Sequence, residues 1–152
     1  MKLEFSGSPV VAVPRSEVWD RLLDPHFIAR SAPGVESVEE TGANTFRIVI
    51  GFGVALLKLR FPLDVELYDI IDQTSARMRA RGRAPGSDVE MRSTISVHEL
   101  GPRRVRLDWH AESIIHGTLA GMGARLMEGA VRKLTEQFWE TFAERVVREA
   151  RS

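Results

Sequence analysis

The sequence predicts an α+β fold in which a curved antiparallel sheet wraps around one long C-terminal helix. Apolar residues recur at every third or fourth position through residues 119–147, as on one face of a helix, whereas residues 36–116 alternate apolar and polar side chains as strands do. The apolar row of the helix advances four residues at a time, and each step carries it roughly 40° further around the axis. A buried face that winds in this way has to lie across a wide, curved surface.

The sheet is predicted from six strands between residues 35 and 115, which are joined by turns into an antiparallel meander with one apolar face. The clearest of them, residues 57–67, has leucine, phenylalanine or valine at every second position. Gly51 and Gly53 on one face of the preceding strand indicate sharp curvature or the close approach of another backbone. Pro62 indicates a bulge or an edge position, because proline cannot donate to the hydrogen-bond ladder.

The N-terminal part of the chain supplies a further strand and two short helices. The strand covers residues 3–13 and is interrupted by a glycine and a proline, and the helices cover residues 14–24 and 27–31. The predicted architecture therefore has seven strands, with both short helices between the first and the second. Glycines in residues 117–123 loosen the chain before the long helix.

Composition and charge exclude several classes of function. The 152 residues suffice for a sizeable core, and residues 1–152 are predicted to form one domain. With 21 basic and 21 acidic residues the net charge is zero, which argues against nucleic acid as a partner. The absence of cysteine excludes disulfides, thiolate catalysis and thiolate metal sites, and it favours a reducing compartment.

Localisation is inferred from the lack of hydrophobic targeting segments. The first residues alternate polar and apolar types and lack the continuous apolar run of a signal peptide. No apolar run approaches the ~18 to 20 residues of a transmembrane helix. The sequence therefore predicts a cytoplasmic protein without a stable membrane anchor, and peripheral contact with the inner face of the membrane stays open.

The histidines are the first candidates for metal binding or acid–base catalysis. His110, Glu112 and His116 share one face of the last strand, but at ~3.3 Å per residue the two histidines lie about 20 Å apart, too far for one metal ion. His26 and His98 have no carboxylate or nucleophile at useful spacing. No metal site, catalytic residue or cofactor is therefore predicted.

The predicted interior contains few groups that could act in catalysis. Ser93 and Ser113 are its only clear polar members, whereas acid–base catalysis needs a tuned histidine or carboxylate that faces the substrate. Motifs for phosphate binding and for an activated serine nucleophile are also absent. Tyr68, the only tyrosine, is predicted to face outward. These observations disfavour an enzyme.

Arginines at every second position make the most conspicuous charged feature of the sequence. One interpretation is a solvent-exposed face on which they pair with carboxylates of neighbouring strands. The other is a docking patch for an acidic partner protein or an anionic headgroup. The residues of this predicted docking patch are Arg77, Arg79, Arg81 and Arg83.

The inward positions are strongly apolar, which by itself does not decide whether the centre of the fold is filled or hollow. A sheet that curls around one helix tends to leave space beneath it, and ligands prefer such apolar concavities. Met78, Met91, Met122 and Met127 all point inward in this arrangement. Methionine adapts to irregular shapes and is frequent on permissive binding surfaces, so these residues favour a cavity for a flexible apolar ligand.

Motifs in both halves of the chain resemble a known family. They are Pro14, Val18-Trp19, Asp24-Pro25 and Pro33-Gly34 in the first part, and Gly123, Arg125-Leu126, Gly129, Lys133-Leu134, Phe138 and Phe142 in the last helix. With them the sequence resembles the CoxG-like proteins, the G-subunit family of carbon monoxide dehydrogenase, in the START and birch-pollen-allergen superfamily (SRPBCC). The spacing in the last helix is the more particular to the CoxG-like proteins, and the resemblance covers nearly the whole chain.

The resemblance implies a helix-grip fold and a protein with a hydrophobic cavity, associated in relatives with assembly or membrane recruitment of a molybdenum hydroxylase, or with handling of a lipid or quinone. Our leading hypothesis is a non-enzymatic protein that binds a lipid-like or quinone-like molecule in an internal apolar cavity. The alternatives are an accessory protein that docks on a carbon monoxide dehydrogenase-type oxidoreductase, and a small polyketide cyclase-like or hydrolase-like enzyme. The residues predicted to line the cavity are Phe27, Phe46, Ile48, Leu59, Leu63, Met78, Met91, Ile95, Trp109, Met122, Leu126 and Met127.

Overall fold

The computed structural model describes residues 1–54, 56–84 and 86–151 of the chain. Its strands and helices follow one another in the order expected from the sequence. They are β1 (Lys2–Gly7), β2 (Val10–Val11), α1 (Arg15–Leu22), α2 (Pro25–Ser31), β3 (Val35–Gly42), β4 (Thr45–Val54), β5 (Leu57–Ile71), β6 (Ser75–Ala84), β7 (Ser87–Gly101), β8 (Arg104–Gly117), α3 (Thr118–Gly121) and α4 (Ala124–Arg151).

The strands form one antiparallel sheet in the order β1-β8-β7-β6-β5-β4-β3, and β2 also pairs with β8. The predicted first strand is split into β1 and β2, which raises the number of strands from seven to eight. Its register against β8 continues across the break, with Gly7 opposite Trp109 and Val10 opposite Arg106. The break coincides with Pro9, which has no N–H to donate to the ladder.

The sheet wraps around α4. This helix contacts β1 and β2 at one edge of the sheet and β4 close to the other edge. The alternation of side chains is the expected one, since Phe61, Leu63 and Val65 of β5 are buried. The corresponding expectation for Leu57 falls on a side chain outside the described part of the structure. The predicted fold, a curved antiparallel sheet around a long terminal helix, is confirmed.

Asp24 and Pro25 separate α1 from α2 and form the start of α2. The Asp24 carboxylate accepts hydrogen bonds from the backbone N–H groups of His26 at 3.0 Å and Phe27 at 3.3 Å, so it caps the N-terminus of α2. Pro25 occupies the first helical position, where a missing N–H costs nothing. Helix α2 therefore begins two residues earlier than the sequence predicted.

The β4–β5 hairpin meets the predictions made from its glycines and its proline. The Gly51 N–H donates to the Gly34 carbonyl at 2.7 Å, which is the close backbone approach that a glycine permits. A Cβ at Gly34 would overlap the Gly51 carbonyl oxygen. β5 pairs with β6 from Leu63 onward, so Pro62 lies where this pairing begins and its missing N–H interrupts no ladder.

The terminal helix is not continuous from residue 119 as predicted. A single turn, α3, is followed by Met122 and Gly123, and α4 starts at Ala124. Gly123 has φ +97°, a conformation that breaks an α-helix and that residues with a side chain rarely adopt. α4 then runs for 28 residues without interruption.

Candidate ligand-binding site

Side chains on the inner face of β4 to β8 lie opposite one another in register. Phe46 is opposite Val65, which is opposite Ala80 on the next strand. Ala80 is in turn opposite Met91, which is opposite Ser113. Because facing residues of antiparallel strands point to the same side of a sheet, these side chains form one row across the concave face.

This row belongs to an apolar cluster, which we call the inner-face cluster. Its buried members are Phe46, Leu63, Val65 and Ala80, and the half-buried side chains packed on them are Val38, Ile48, Ile50, Leu67, Met78 and Met91. Within the described part of the chain no α4 side chain belongs to it. The methionines therefore remain partly exposed although they lie on the concave face that α4 crosses. The inner-face cluster therefore keeps some accessible apolar surface on the concave side of the sheet.

The apolar side chains of α4 pack instead at its two ends. Near its start, Met127, Ala130 and Val131 join a cluster that is built around Leu119 and Phe61. Near its end, residues 138–150 pack against α1, α2 and the ends of β7 and β8 that adjoin their connecting turn. Leu134, midway along the helix, is half-buried and is a member of none of the described clusters. The two ends of α4 are anchored, and its middle spans the concave face.

The end of α4 is filled by aromatic rings; we call this region the filled end. Phe142 is completely buried, with its ring edge against Phe27 at a centroid distance of 5.5 Å. It also stacks on Phe138 at 5.8 Å and contacts Trp139 at 5.6 Å. Such offset and edge-to-face pairs add to the stabilisation that burial alone gives. No open space comparable with that at the inner-face cluster is expected here.

The structure brings together five of the twelve residues that were predicted to line a cavity. These five, all in the inner-face cluster, are Phe46, Ile48, Leu63, Met78 and Met91. Leu59, Met122 and Met127 lie in the cluster at the start of α4, and Phe27 and Ile95 lie in the filled end. Trp109 stacks on Trp139 at 5.6 Å.

Leu126 lies apart from all of these, with 44% of its surface exposed. The reason is the drift of the four-residue ladder. Four steps separate Leu126 from the buried Phe142, and at roughly 40° each they turn its side chain about 160° away. The side chain therefore lies on the exposed side of α4 rather than beneath it.

Two residues of the inner-face cluster were not among those predicted to line the cavity. Val38 and Ile50 pack against it from β3 and β4. Alternation could assign them to the apolar face, but only the strand register shows that Val38 lies opposite Ile48 and that Ile50 lies opposite Phe61. Val65 and Ala80 were expected to face inward, and the structure adds them to the candidate site.

The polar groups of the concave face are small and neutral. Ser93 and Ser113 lie on neighbouring strands, where Ser93 is opposite Ala111 and Met91 is opposite Ser113. Their hydroxyls offer a donor and an acceptor within an otherwise apolar face. In the described part of the chain, no group of three or more His, Cys, Asp or Glu residues could hold a metal ion.

The histidines lie on the outer surface, as expected, but two of them have carboxylate partners that sequence spacing did not indicate. His98 Nε2 is 3.0 Å from Asp108 Oδ2, and His26 Nε2 is 3.4 Å from Glu40 Oε2. The first pair spans β7 and β8, and the second joins α2 to β3. Such partners depend on strand register and helix docking, which a local pattern does not contain.

Asp108 is the centre of this outer polar group. A hydrogen bond from the Ser8 hydroxyl, together with Arg106 and His98, lowers the pKa of Asp108 below its ordinary 3.8. Arg106 Nε donates to Asp108 Oδ1 at 3.1 Å. A serine, a histidine and an aspartate meet here, but the carboxylate contacts the other two, whereas in a Ser–His–Asp triad the histidine lies between serine and aspartate.

Each arginine of the predicted docking patch has a carboxylate on an adjacent strand. Arg79 donates two hydrogen bonds to Glu66, which raise the pKa of Arg79. The remaining pairs are Arg77–Asp69 at 3.8 Å, Arg81–Glu90 at 2.8 Å and Arg83–Asp88 at 2.9 Å. Arg79 also lies over the outward-facing Tyr68 ring, at 4.6 Å from its centroid. The exposed-pair interpretation describes this face, and its positive charge is locally neutralised.

Comparison with solved structures defines the class of the fold. A conserved protein from Geobacillus kaustophilus superposes with a TM-score of 0.88 at 20% identity, covering 96% of each chain. The ZhuI aromatase/cyclase from Streptomyces sp. R1128 gives 0.75 at 18% identity, over 100% of this chain and 98% of that one. A START superfamily protein from Mycobacterium smegmatis gives 0.71 at 11% identity, over 95% and 97%.

These likenesses and the grip of the sheet on α4 define a protein with the helix-grip fold. The model of the CoxG family, the G subunit of carbon monoxide dehydrogenase, matches residues 7–147. The chain therefore belongs to the CoxG family. No curated protein sequence matches it. Among the described residues, no helix combines the length and hydropathy needed to cross a membrane.

Proposed function

We propose that this protein is a non-enzymatic binding protein that holds a lipid-like or quinone-like molecule between α4 and the inner-face cluster. One observation carries the proposal. The inner-face cluster lies on the concave side of the sheet, yet six of its ten apolar side chains, Met78 and Met91 among them, are only partly buried. Leaving such a surface uncovered forgoes stabilisation of roughly 25 cal/mol per Å² of apolar area, and an apolar ligand would recover it.

The chemistry of the lining supports a flexible, mostly apolar ligand with one small polar group. Met78 and Met91 are half-buried and can adopt several rotamers, so they adjust to ligands of different shape. Ser93 and Ser113 are the nearest polar side chains along the register, and they carry no charge. A charged headgroup would therefore remain outside, whereas a hydroxyl or carbonyl could be accommodated.

The non-enzymatic part of the proposal is supported by where the titratable side chains point. Along β6 to β8 the charged residues occupy alternate positions on the outer face, where Arg81 pairs with Glu90 and Arg83 with Asp88. An aromatase/cyclase shares this fold, so the fold itself does not decide the matter. Acid–base catalysis would need a titratable group near the ligand. Among the described residues, the buried polar side chains are those of three serines, Ser31, Ser87 and Ser113.

A fluorescence titration with N-phenyl-1-naphthylamine, a neutral apolar dye, tests the proposal. We expect saturable binding that is lost, by at least tenfold in affinity, in Met91→Trp, because the larger ring fills the space. The matched control is Arg92→Trp, since Arg92 is the next residue of β7 and is exposed on the opposite face. Equal binding by both variants, or no binding by the unmodified protein, would overturn it. Organic extraction and mass spectrometry of the same sample would identify any co-purifying molecule.

A second candidate function, an accessory role on an oxidoreductase, is supported by the family description, which names a subunit of carbon monoxide dehydrogenase. The predicted docking patch would be the contact surface. Its arginines are paired with carboxylates, so we expect shape rather than net charge to direct such docking. Co-purification of the unmodified protein, but not of Arg79→Glu/Arg81→Glu, with a carbon monoxide dehydrogenase-type enzyme would establish it. Retention by both would exclude this surface.

A further inference from the structure

A cleft opens between α4 and the edge of the sheet. It has a volume of about 320 Å³ and lies between the β1–β2 segment and the helix face formed by Arg132, Thr135, Glu136 and Trp139. The size lies at the lower end of the range for small-molecule sites. None of the described residues that line the cleft is a member of the inner-face cluster.

The walls of the cleft are aromatic and apolar. Trp109 and Trp139 stack on each other, and Phe5 and Pro9 contribute further apolar lining. The Trp109 indole Nε1 is buried, without a hydrogen-bond partner in the described part of the chain. It lies against Gly7, where an added Cβ would be only 2.9 Å away. Trp109 therefore presents ring carbons rather than its N–H to the cleft.

The charged side chains at and beside the cleft carry a net negative charge. Arg132 donates to Glu128 at 2.7 Å, one helical turn earlier, so this pair is neutral. Glu136, one turn later, also lines the cleft, and no ion pair of its carboxylate is seen among the described residues. The sum over the three side chains is one negative charge. A cationic ligand is favoured over an anionic one.

The cleft already holds one cation against an aromatic ring. The Arg132 guanidinium carbon lies 5.3 Å from the centroid of the Phe5 ring, within the range of a cation–π interaction. More than half of the Arg132 side chain is exposed, so it can move away from this position at little cost. The contact shows that the aromatic wall accepts positive charge, and that Arg132 would compete with a ligand for it.

We propose that this cleft is a binding site for a small aromatic or alkyl ammonium ion. The apolar body would lie between Phe5, Pro9 and Trp139, and the ammonium group would lie between the aromatic wall and the Glu136 carboxylate. Binding displaces the Arg132 guanidinium from the Phe5 ring and leaves it paired with Glu128. This site is independent of the ligand proposed for the inner-face cluster.

Three probes with the same phenyl body test the charge preference at neutral pH: benzylammonium, benzyl alcohol and benzoate. We expect benzylammonium to bind about three- to thirtyfold more tightly than benzyl alcohol, the range of a cation–π contact, and benzoate to bind most weakly. Binding is followed by the indole N–H resonances of the three tryptophans in NMR spectra. Equal affinity for benzylammonium and benzyl alcohol would overturn the proposal.

Variants of the two charged residues give opposite expected changes. Glu136→Gln should weaken benzylammonium about three- to fivefold, whereas Arg132→Gln should strengthen it by a similar factor because the competing cation is removed. Glu144→Gln, on an exposed part of the same helix, is the matched control and should leave affinity unchanged. Weaker benzylammonium binding by Arg132→Gln would contradict the proposal, because Arg132 would then support the bound ligand rather than compete with it. Met91→Trp should leave the cleft unaffected, which separates this test from that of the proposed function.

Discussion

The filled end of α4 and the inner-face cluster are built from the same kinds of side chain, yet they differ in what lies opposite them. At the filled end, Phe142 meets Phe27, Phe138 and Trp139 within 6 Å between ring centroids. At the inner-face cluster, Phe46 packs on neighbours in the sheet, and Met78 and Met91 in the same cluster remain half-buried. The difference shows that apolarity specifies which face is inside, whereas the docking of the helices specifies which part of that face is filled.

Truncating one phenylalanine in each region should give the largest difference. Phe142→Ala should lower the free energy of unfolding by about 3 to 5 kcal/mol, because it removes a buried ring and leaves a cavity. Phe46→Ala should cost only about 2 kcal/mol, since the vacated volume joins a space that is already open. Both rings are at least 94% buried, so the pair is matched. Denaturant titrations measure both values, and equal costs would mean that the inner face is as well packed as the filled end.

Replacing an alanine by leucine in each region should give a smaller difference in the free energy of unfolding, for the same reason. Ala76 and Ala80 lie four residues apart on the same face of β6, and both are buried. Ala76→Leu overpacks the filled end and should cost about 1 to 3 kcal/mol. Ala80→Leu extends into the open space and should cost less than about 1 kcal/mol, while it weakens dye binding. A larger destabilisation by Ala80→Leu than by Ala76→Leu would indicate that the space is closed.

The pH dependence of stability should be traceable to Asp108, beside the filled end. Its folded-state pKa is depressed, chiefly by the Ser8 hydrogen bond, so its contribution is present above the ordinary value of 3.8 and is lost as pH falls through the folded value. Asp108→Asn should therefore flatten the acid limb of a plot of unfolding free energy against pH. Ser8→Ala should shift that limb towards 3.8. An unchanged acid limb in Asp108→Asn would assign the dependence to other carboxyl groups.

The smallest change is expected on the outer surface behind the inner-face cluster. Arg79→Gln removes the two hydrogen bonds to Glu66, but both side chains are exposed and water replaces the lost partner. Its thermal midpoint should change less than that of Phe46→Ala. The difference from the unmodified protein should vanish at 1 M salt, because charges are then screened over about 3 Å. A difference that persists in salt would show that Arg79 contributes by packing on Tyr68.

The sequence predicted the order of elements, the inward face of each strand and the helix-grip architecture, because period-two and period-3.6 patterns are local properties. It indicated a loosened chain at residues 117–123 but not that α4 begins only after Gly123, since a glycine is compatible with a helix or with its end until the neighbouring packing is known. Nor did it place Leu126 correctly, although the drift of the apolar ladder was already visible. The apolar ladder that contains Leu126 was treated as one face of the helix, whereas the drift places part of the ladder on the buried side and part on the exposed side.

The candidate site was predicted only in part, because alternation along a strand is a local property whereas the docking of helices is not. Met78 and Met91 were assigned to it by alternation alone, and the structure groups them with Phe46. Phe27 was assigned to the cavity because it is large and apolar, but it forms part of the filled end, where α2 meets α4. Pairings between distant segments, such as His98 with Asp108, depend on strand register and are not encoded in any short stretch of sequence.

The pairing of β1 with β8 has a consequence for how the chain folds. Lys2 lies opposite Ile114, and the N-terminal amine donates to the Ile115 carbonyl at 2.9 Å, across a separation of 114 residues. Contacts between such distant positions are slow to form, because a long loop must close before they contribute. A chain growing on a ribosome holds β1 without its partner until nearly all of the sheet has been synthesised. The apolar inner face is therefore exposed throughout that interval. The incomplete chain, whether still growing or truncated at its C-terminal end, is the form most prone to aggregate and the form that needs a chaperone.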